Sequence, residues 1–200
     1  MPGLADLYNV PVRTGDEPVA EGATLRDFWR WMGSDLVTNT MRGTFAEFLV
    51  ALAVGTAGGV REEWASHDVE PEGGVKIEVK TSAYLQYWSQ EALSTPTFDI
   101  APKRAWDPDT GRYSGEQKRW SDVYVFCLHH HQDKLTLEPL DLSQWTFFVL
   151  STARLDAERR EQKSIGLGGL QELGAEQVSF EGIAEAVREA ARPPRNQRVS

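Results

Sequence analysis

Cysteine is almost missing from this chain: Cys127 is the only one in 200 residues. A disulfide framework within one chain is excluded, and a zinc site built from thiolates is not expected. Cys127 lies inside the apolar run Val123–Leu128, where a thiol reads as a buried core group rather than a nucleophile. Long apolar runs are missing too. The longest, Phe48–Val54, falls far short of the ~20 residues that a membrane helix needs. The first residues, Met1-Pro2-Gly3-Leu4-Ala5-Asp6, carry neither a basic start nor an apolar stretch. No secretion signal and no membrane partner are expected, and the chain reads as cytoplasmic. Positive charge is scarce: 21 Lys and Arg face 30 Asp and Glu, a net charge of -9. That argues against binding nucleic acid through bulk charge, but leaves room for one local basic groove in an acidic enzyme.

What is present is enough for one folded domain. Apolar residues make up 40% of the chain, and seven of the residues are Trp. Residues 1–22, rich in Gly, Pro and acidic side chains, read as an irregular arm. Residues 23–191 read as a single domain, and residues 192–200 as a disordered basic tail carrying Arg192, Arg195 and Arg198. Thr24 can cap a helix that runs through Leu25, Phe28, Trp29 and Met32 to Gly33. A second helix is predicted over Asn39–Val54, stopped by Gly55. It is apolar nearly all round, with Phe45, Phe48, Leu49 and Leu52 on one face, which predicts burial. Trp64–Val69 and Val75–Thr81 flank the turn-rich Glu70-Pro71-Glu72-Gly73-Gly74 and read as a β-hairpin. Further strands are predicted at Thr97–Ile100, Asp122–Leu128, Trp145–Leu150 and Gln177–Phe180, with helices at Ala153–Lys163, Leu167–Leu173 and Ile183–Ala191. Residues 102–119 read as a long loop. Strands in the middle with helices at both ends predict an α/β fold around one mixed sheet.

The hairpin carries the chemistry. Strand side chains alternate faces, so Lys76, Glu78 and Lys80 share one face, and Ile77 and Val79 the other. Symmetry about Gly73 sets Asp68 opposite Glu78. Like charges in cross-strand contact are destabilising, so the pair needs a cation between them. Lys80 is one candidate and a divalent metal is the other. Magnesium, for which manganese can substitute, takes oxygen ligands. Asp68, Glu78 and the Val79 carbonyl could supply them, with Glu47 of the preceding helix as a further member. Glu47 sits on a helix predicted to be buried, where a carboxylate needs a partner or a metal. Such a metal would polarise a phosphodiester and lower the pKa of a bound water. Lys80 would orient that water or stabilise charge on the phosphate.

The run Ser66-His67-Asp68, followed after a spacer by Ile77-Glu78-Val79-Lys80-Thr81-Ser82, resembles the PD-(D/E)XK nuclease superfamily, also called restriction-endonuclease-like. His67 stands where the superfamily's name has Pro. The resemblance spans roughly residues 38–150. It implies an α-β-β-β-α-β core and magnesium-dependent phosphodiester hydrolysis, usually of DNA. It makes Asp68, Glu78, Lys80 and Glu47 the catalytic set. A Gln shortly after Glu-x-Lys often lies near such sites, and Gln86 matches that placement. Ser82, Tyr84 and Gln86 would share one face if the strand continues, suited to stacking on bases and bonding to base edges or phosphates. Lys103, Arg104, Arg112, Lys118 and Arg119 could track a phosphate backbone. A catalytically inactive nucleic-acid- or protein-binding module on the same fold is the alternative reading. A homodimer stays open.

Overall fold

The chain enters the described region through β1 (Pro18–Ala20) and β2 (Ala23–Thr24), a short antiparallel pair within and just after the stretch expected to be irregular. The computed structural model describes residues 11–63, 65–107 and 110–192. The first ten residues of the predicted arm, and all of the predicted tail but Arg192, lie outside them.

Helix α1 (Leu25–Gly33) starts where capping chemistry allows it. The Thr24 N–H and hydroxyl both donate to Asp27 Oδ2, at 2.9 and 2.8 Å. None of its residues is buried, and Phe28, Trp29, Trp31 and Met32 remain exposed. Helix α2 (Asn39–Ala53) follows, with the Thr38 hydroxyl accepting the Met41 N–H, and Gly55 at φ +80° leading the chain out. Its burial is narrower than its composition predicts. Ala46, Leu49 and Val50 are buried, while Phe48 and Leu52 stay about half exposed. Only one stripe of the helix meets the sheet, so the apolar residues outside that stripe face solvent.

The central sheet has four strands in the order β10 (Glu176–Val178), β8 (Trp145–Ser151), β7 (Val123–His129) and β3 (Ile77–Ala83). β3 runs parallel to β7, and the other two pairs are antiparallel, so the sheet is mixed. β7 is buried along its whole length, as its unbroken apolar run predicts. Cys127 lies inside it, its thiol pKa pushed up by burial. Between β3 and β7 no helix occurs among the described residues. It passes through β4 (Thr97–Asp99) and a small hairpin of β5 (Trp106–Asp107) and β6 (Arg112–Tyr113). After β8 come α3 (Thr152–Glu158), β9 (Ser164–Gly166), α4 (Leu167–Glu172) and, beyond β10, α5 (Ile183–Ala190).

Both sheet faces are covered, giving two cores. On one face α2 and α5 pack Ala46, Leu49, Val50, Ile183 and Val187 against Ile77, Val79, Val125 and Phe147. On the other, the antiparallel β4–β9 pair with α3 and α4 sets Phe98, Ile165, Leu155 and Leu170 over Tyr124, Phe126 and Phe148. The chain is therefore the expected α/β domain, a mixed four-stranded sheet flanked by helices. No helix among the described residues is long and apolar enough to cross a membrane.

Candidate active site

β3 is an edge strand, and its free edge is where the site forms. The hairpin return is there, centred as expected. Val69 and Ile77 form an antiparallel bridge, with Ile77 N–H donating to the Val69 carbonyl at 2.9 Å. Gly73 and Gly74 make the turn at φ +109° and +76°, values that L side chains rarely adopt. The predicted strand Trp64–Val69 does not form beyond that single bridge, and Trp64 itself lies outside the described residues. The cause is local: the Asp68 side chain replaces the next backbone partner. Its Oδ2 accepts the Val79 N–H at 2.7 Å, while its own N–H donates to the Ile77 carbonyl at 3.0 Å. A side chain that takes a ladder position ends the ladder, and it fixes the carboxylate at the strand edge. The N–H and C=O of one residue in an extended strand point to the same side, so the Val79 carbonyl faces that edge as well.

Glu78 projects to the sheet face opposite α2 and is buried. Lys80 Nζ lies 2.5 Å from Glu78 Oε1, and Lys103 Nζ lies 3.3 Å from the same oxygen. The Ser121 hydroxyl donates to Glu78 Oε2 at 3.3 Å. Lys80 thus pairs directly with Glu78, and its charge also acts on Asp68. Burial drives the Asp68 pKa up, and the Glu78 charge adds to it. Lys80 and the Val79 N–H pull the other way, and the balance lies at about 6. For Lys80, burial acts to lower the pKa, but the charges of Glu78 and Asp68 outweigh it and the net shift is upward.

Glu47 comes from α2, on the other side of the β3 edge. Its carboxylate is held by Arg61 in a two-pronged ion pair, Nε to Oε2 and Nη2 to Oε1, the latter at 3.1 Å. Its charge still reaches Asp68 and helps to raise that pKa. Glu47, Arg61, His67 and Asp68 line a cleft of about 500 Å³. Asp68 therefore stands between two half-sites, Glu78 with Lys80 and Lys103 on one side, Glu47 with Arg61 on the other. Each flanking carboxylate is engaged by its own cation. Among the described residues, no three His, Cys, Asp or Glu side chains are arranged as a ready metal-binding group.

The expected substrate contacts fare differently. β3 ends at Ala83, so Ser82, Tyr84 and Gln86 do not continue along one strand face. Ser82 ties down β4, its hydroxyl accepting the Thr97 N–H at 3.1 Å. Tyr84 is half-buried against the second core. Gln86 is a correction: it is buried, accepting from Arg42 Nη1 at 3.3 Å and donating to the Ala83 carbonyl at 3.0 Å. The buried Arg42 needs acceptors, and Gln86 and the Leu85 carbonyl supply them.

Arg119 is a second correction. Its side chain is fully buried, and its guanidinium donates to the carbonyls of Ile100, Arg159 and Gln162 and to Asp156. It pins the crossover to the segment after α3 instead of facing substrate. Arg119→Ala is expected to cost about 3–5 kcal/mol in urea unfolding, because it strips three carbonyls of their donor at once. A loss under about 1 kcal/mol would show that the pin is dispensable. Sequence pattern gives no sign of Ser121 and places Lys103 only in a basic loop. Neither carries a motif, since both reach Glu78 only through the crossover. The three consecutive histidines, His129, His130 and His131, turn to separate partners. His129 stacks on Trp145 at 4.5 Å, its pKa lowered to about 4 chiefly by burial, while His130 and His131 bond to Thr146 and Thr136.

Fold and site together define an α/β protein with a carboxylate–lysine cluster on an edge strand, an arrangement suited to phosphodiester chemistry. The family model described as bacteriophage T4 endonuclease IV matches residues 31–168, about two thirds of the chain, and the chain belongs to that family. Family membership carries the coarse function, an endonuclease acting on nucleic acid. Glu47, Arg61, Asp68, Glu78, Lys80, Lys103 and Ser121 all fall within the matched stretch. A search of curated proteins finds no match.

Proposed function

We propose that this protein is a magnesium-dependent DNA endonuclease that hydrolyses phosphodiester bonds at a PD-(D/E)XK-type site built from Asp68, Glu78 and Lys80. The observation that carries the reading is the meeting of Asp68 with Glu78 and Lys80 across one strand edge, with Asp68 locked to Val79. The donor set fits a hard divalent cation. It is all oxygen, largely shielded from water, and holds a carboxyl that burial and a neighbouring carboxylate keep well above its ordinary pKa. Asp68, Glu78 and the Val79 carbonyl would hold the ion, with Glu47 able to join. Magnesium bound there supplies a polarised phosphate and a water of lowered pKa.

The chain's own groups do the rest. The Asp68 carboxyl acts as the ionised carboxylate, the form that prevails above its pKa of about 6. The Ser121 hydroxyl and Lys103 fix the orientation of Glu78. The Lys80 ammonium stays charged, because two carboxylates hold its proton, and it stabilises negative charge as it grows on the phosphate oxygens. Lys103, about half exposed, presents the rest of its charge to the incoming backbone.

Nicking and linearisation of supercoiled plasmid by wild type in magnesium or manganese, with loss of both in Asp68→Ala and Lys80→Ala, is the expected result. Equal cleavage by all three proteins would remove these residues from catalysis. DNA binding without cleavage under any divalent cation would favour an inactive binding module instead.

A further inference from the structure

Resting on the nuclease reading above, we infer that Arg61 is a phosphate-binding residue of this site, kept from the substrate by Glu47 until a divalent cation draws Glu47 away. Arg61 lies on the connection that leads from α2 to the Val69–Ile77 bridge. Both prongs of its guanidinium are taken by Glu47. The pair is unequally exposed: the Glu47 side chain is 16% accessible and that of Arg61 43%, so the guanidinium forms the solvent-facing half. Both line the cleft that Asp68 closes, and the Asp68 charge acts on Arg61 directly.

The distribution of charge around the site gives Arg61 its role. On the Glu78 side two lysines supply positive charge, Lys80 and the half-exposed Lys103. On the cleft side the described lining presents Glu47, Glu62, Asp68 and Glu70, and Arg61 is its one lysine or arginine. A phosphodiester lying across the β3 edge would meet carboxylates there unless this guanidinium turned towards it. A guanidinium fork matches two oxygens of a phosphate as it matches two of a carboxylate.

A carboxylate with both oxygens on an arginine fork cannot chelate a cation with the same lone pairs. Glu47 and Asp68 repel each other as they stand, and a cation held by Asp68 would turn that repulsion into attraction for Glu47. Glu47 would then leave Arg61, and the freed guanidinium would exchange one anion, the carboxylate, for another, the phosphate. DNA affinity and cation occupancy become linked through a single ion pair.

Binding of a short DNA duplex by fluorescence anisotropy, in EDTA and in calcium, tests this with wild type, Arg61→Ala, Arg61→Lys, Glu47→Gln and the double variant. In EDTA, wild type and Arg61→Ala should bind alike. In calcium, Arg61→Ala should bind about tenfold more weakly, with its salt slope reduced by about 1, and Arg61→Lys should fall between. Glu47→Gln should bind about tenfold more tightly than wild type in EDTA, and adding Arg61→Ala should erase that gain. If Arg61→Ala matches wild type in calcium, or is equally weakened in both conditions, the exchange is overturned while the nuclease reading stands. If wild type neither binds calcium or magnesium nor cleaves DNA, both fall. A melting curve for each variant separates these outcomes from misfolding, and Arg61→Lys and Glu47→Gln supply the comparison should Arg61→Ala not fold.

Discussion

Asp68→Asn is expected to abolish cleavage while leaving the metal-free protein at least as stable as wild type. An amide oxygen can still accept the Val79 N–H that the carboxylate accepts at 2.7 Å, so the strand-edge geometry survives. What disappears is a buried negative charge beside Glu78. An acid whose pKa is raised on folding binds its proton more tightly in the folded than in the unfolded chain. Between the ordinary value of 3.8 and the folded value of about 6, rising pH therefore costs the folded state stability. The penalty is complete above about pH 6 and relieved below about pH 4. The Asn variant escapes it, so its melting temperature in EDTA at pH 7.5 should equal or exceed that of wild type.

The same substitution removes an anionic ligand. Loss of several kcal/mol of transition-state stabilisation corresponds to a fall in kcat of roughly 10³-fold. In wild type, magnesium affinity should weaken by up to about tenfold per pH unit below pH 6 and level off above about pH 7, because the ion must displace the Asp68 proton. Calorimetric titration across that range reads this directly. A flat profile, or an Asn variant that cleaves normally, would place the metal and the chemistry elsewhere.

Lys80→Met is expected to have the largest effect on stability within the site. The Lys80 and Glu78 side chains are 17% and 10% accessible, so the pair is largely shielded from solvent screening. Removing one partner of a buried pair commonly costs about 3–5 kcal/mol, and here Lys103 remains on Glu78, which points to about 2–3 kcal/mol. For a domain of this size that is a drop of about 5–10 °C in melting temperature. Magnesium should restore much of it, since a divalent cation between Asp68 and Glu78 replaces the missing charge. Lys103→Met is the control. Its side chain is about half exposed and should lower stability far less. Equal losses in the two variants, or no recovery with magnesium in Lys80→Met, would contradict the assignment of Lys80 as the cation shared by the two carboxylates.

Much of this architecture was legible before the structure. The helices α1 and α2 begin at Thr24 and Thr38 and end at Gly33 and just before Gly55, because capping and glycine punctuation act over a few residues. The unbroken apolar run of β7 announced a central strand. The hairpin centre at Gly73 followed from turn residues and alternation, and it brought Asp68 to Glu78. The departures have two origins, one local and one in burial. The sequence predicts a strand over Trp64–Val69, but a side-chain carboxylate intercepts the ladder at Val79. Residue type alone marks Gln86 and Arg119 as substrate contacts, but burial turns both inward, Gln86 to Arg42 and Arg119 to four acceptors on the crossover and on the segment from α3 to Gln162.

By itself the sequence determined the helix limits, the central strand, the hairpin and the local Asp68, Glu78 and Lys80 set. These rest on interactions between residues close in the chain, where caps, turns and alternating faces leave few alternatives. The tertiary structure alone decided which cation faces which carboxylate. Lys103 and Ser121 reach Glu78 from 25 and 43 residues away, and Arg61 reaches Glu47 from 14. Such pairings depend on how α2 and the crossover pack around the β3 edge, and burial there, not local pattern, sets the pKa of Asp68.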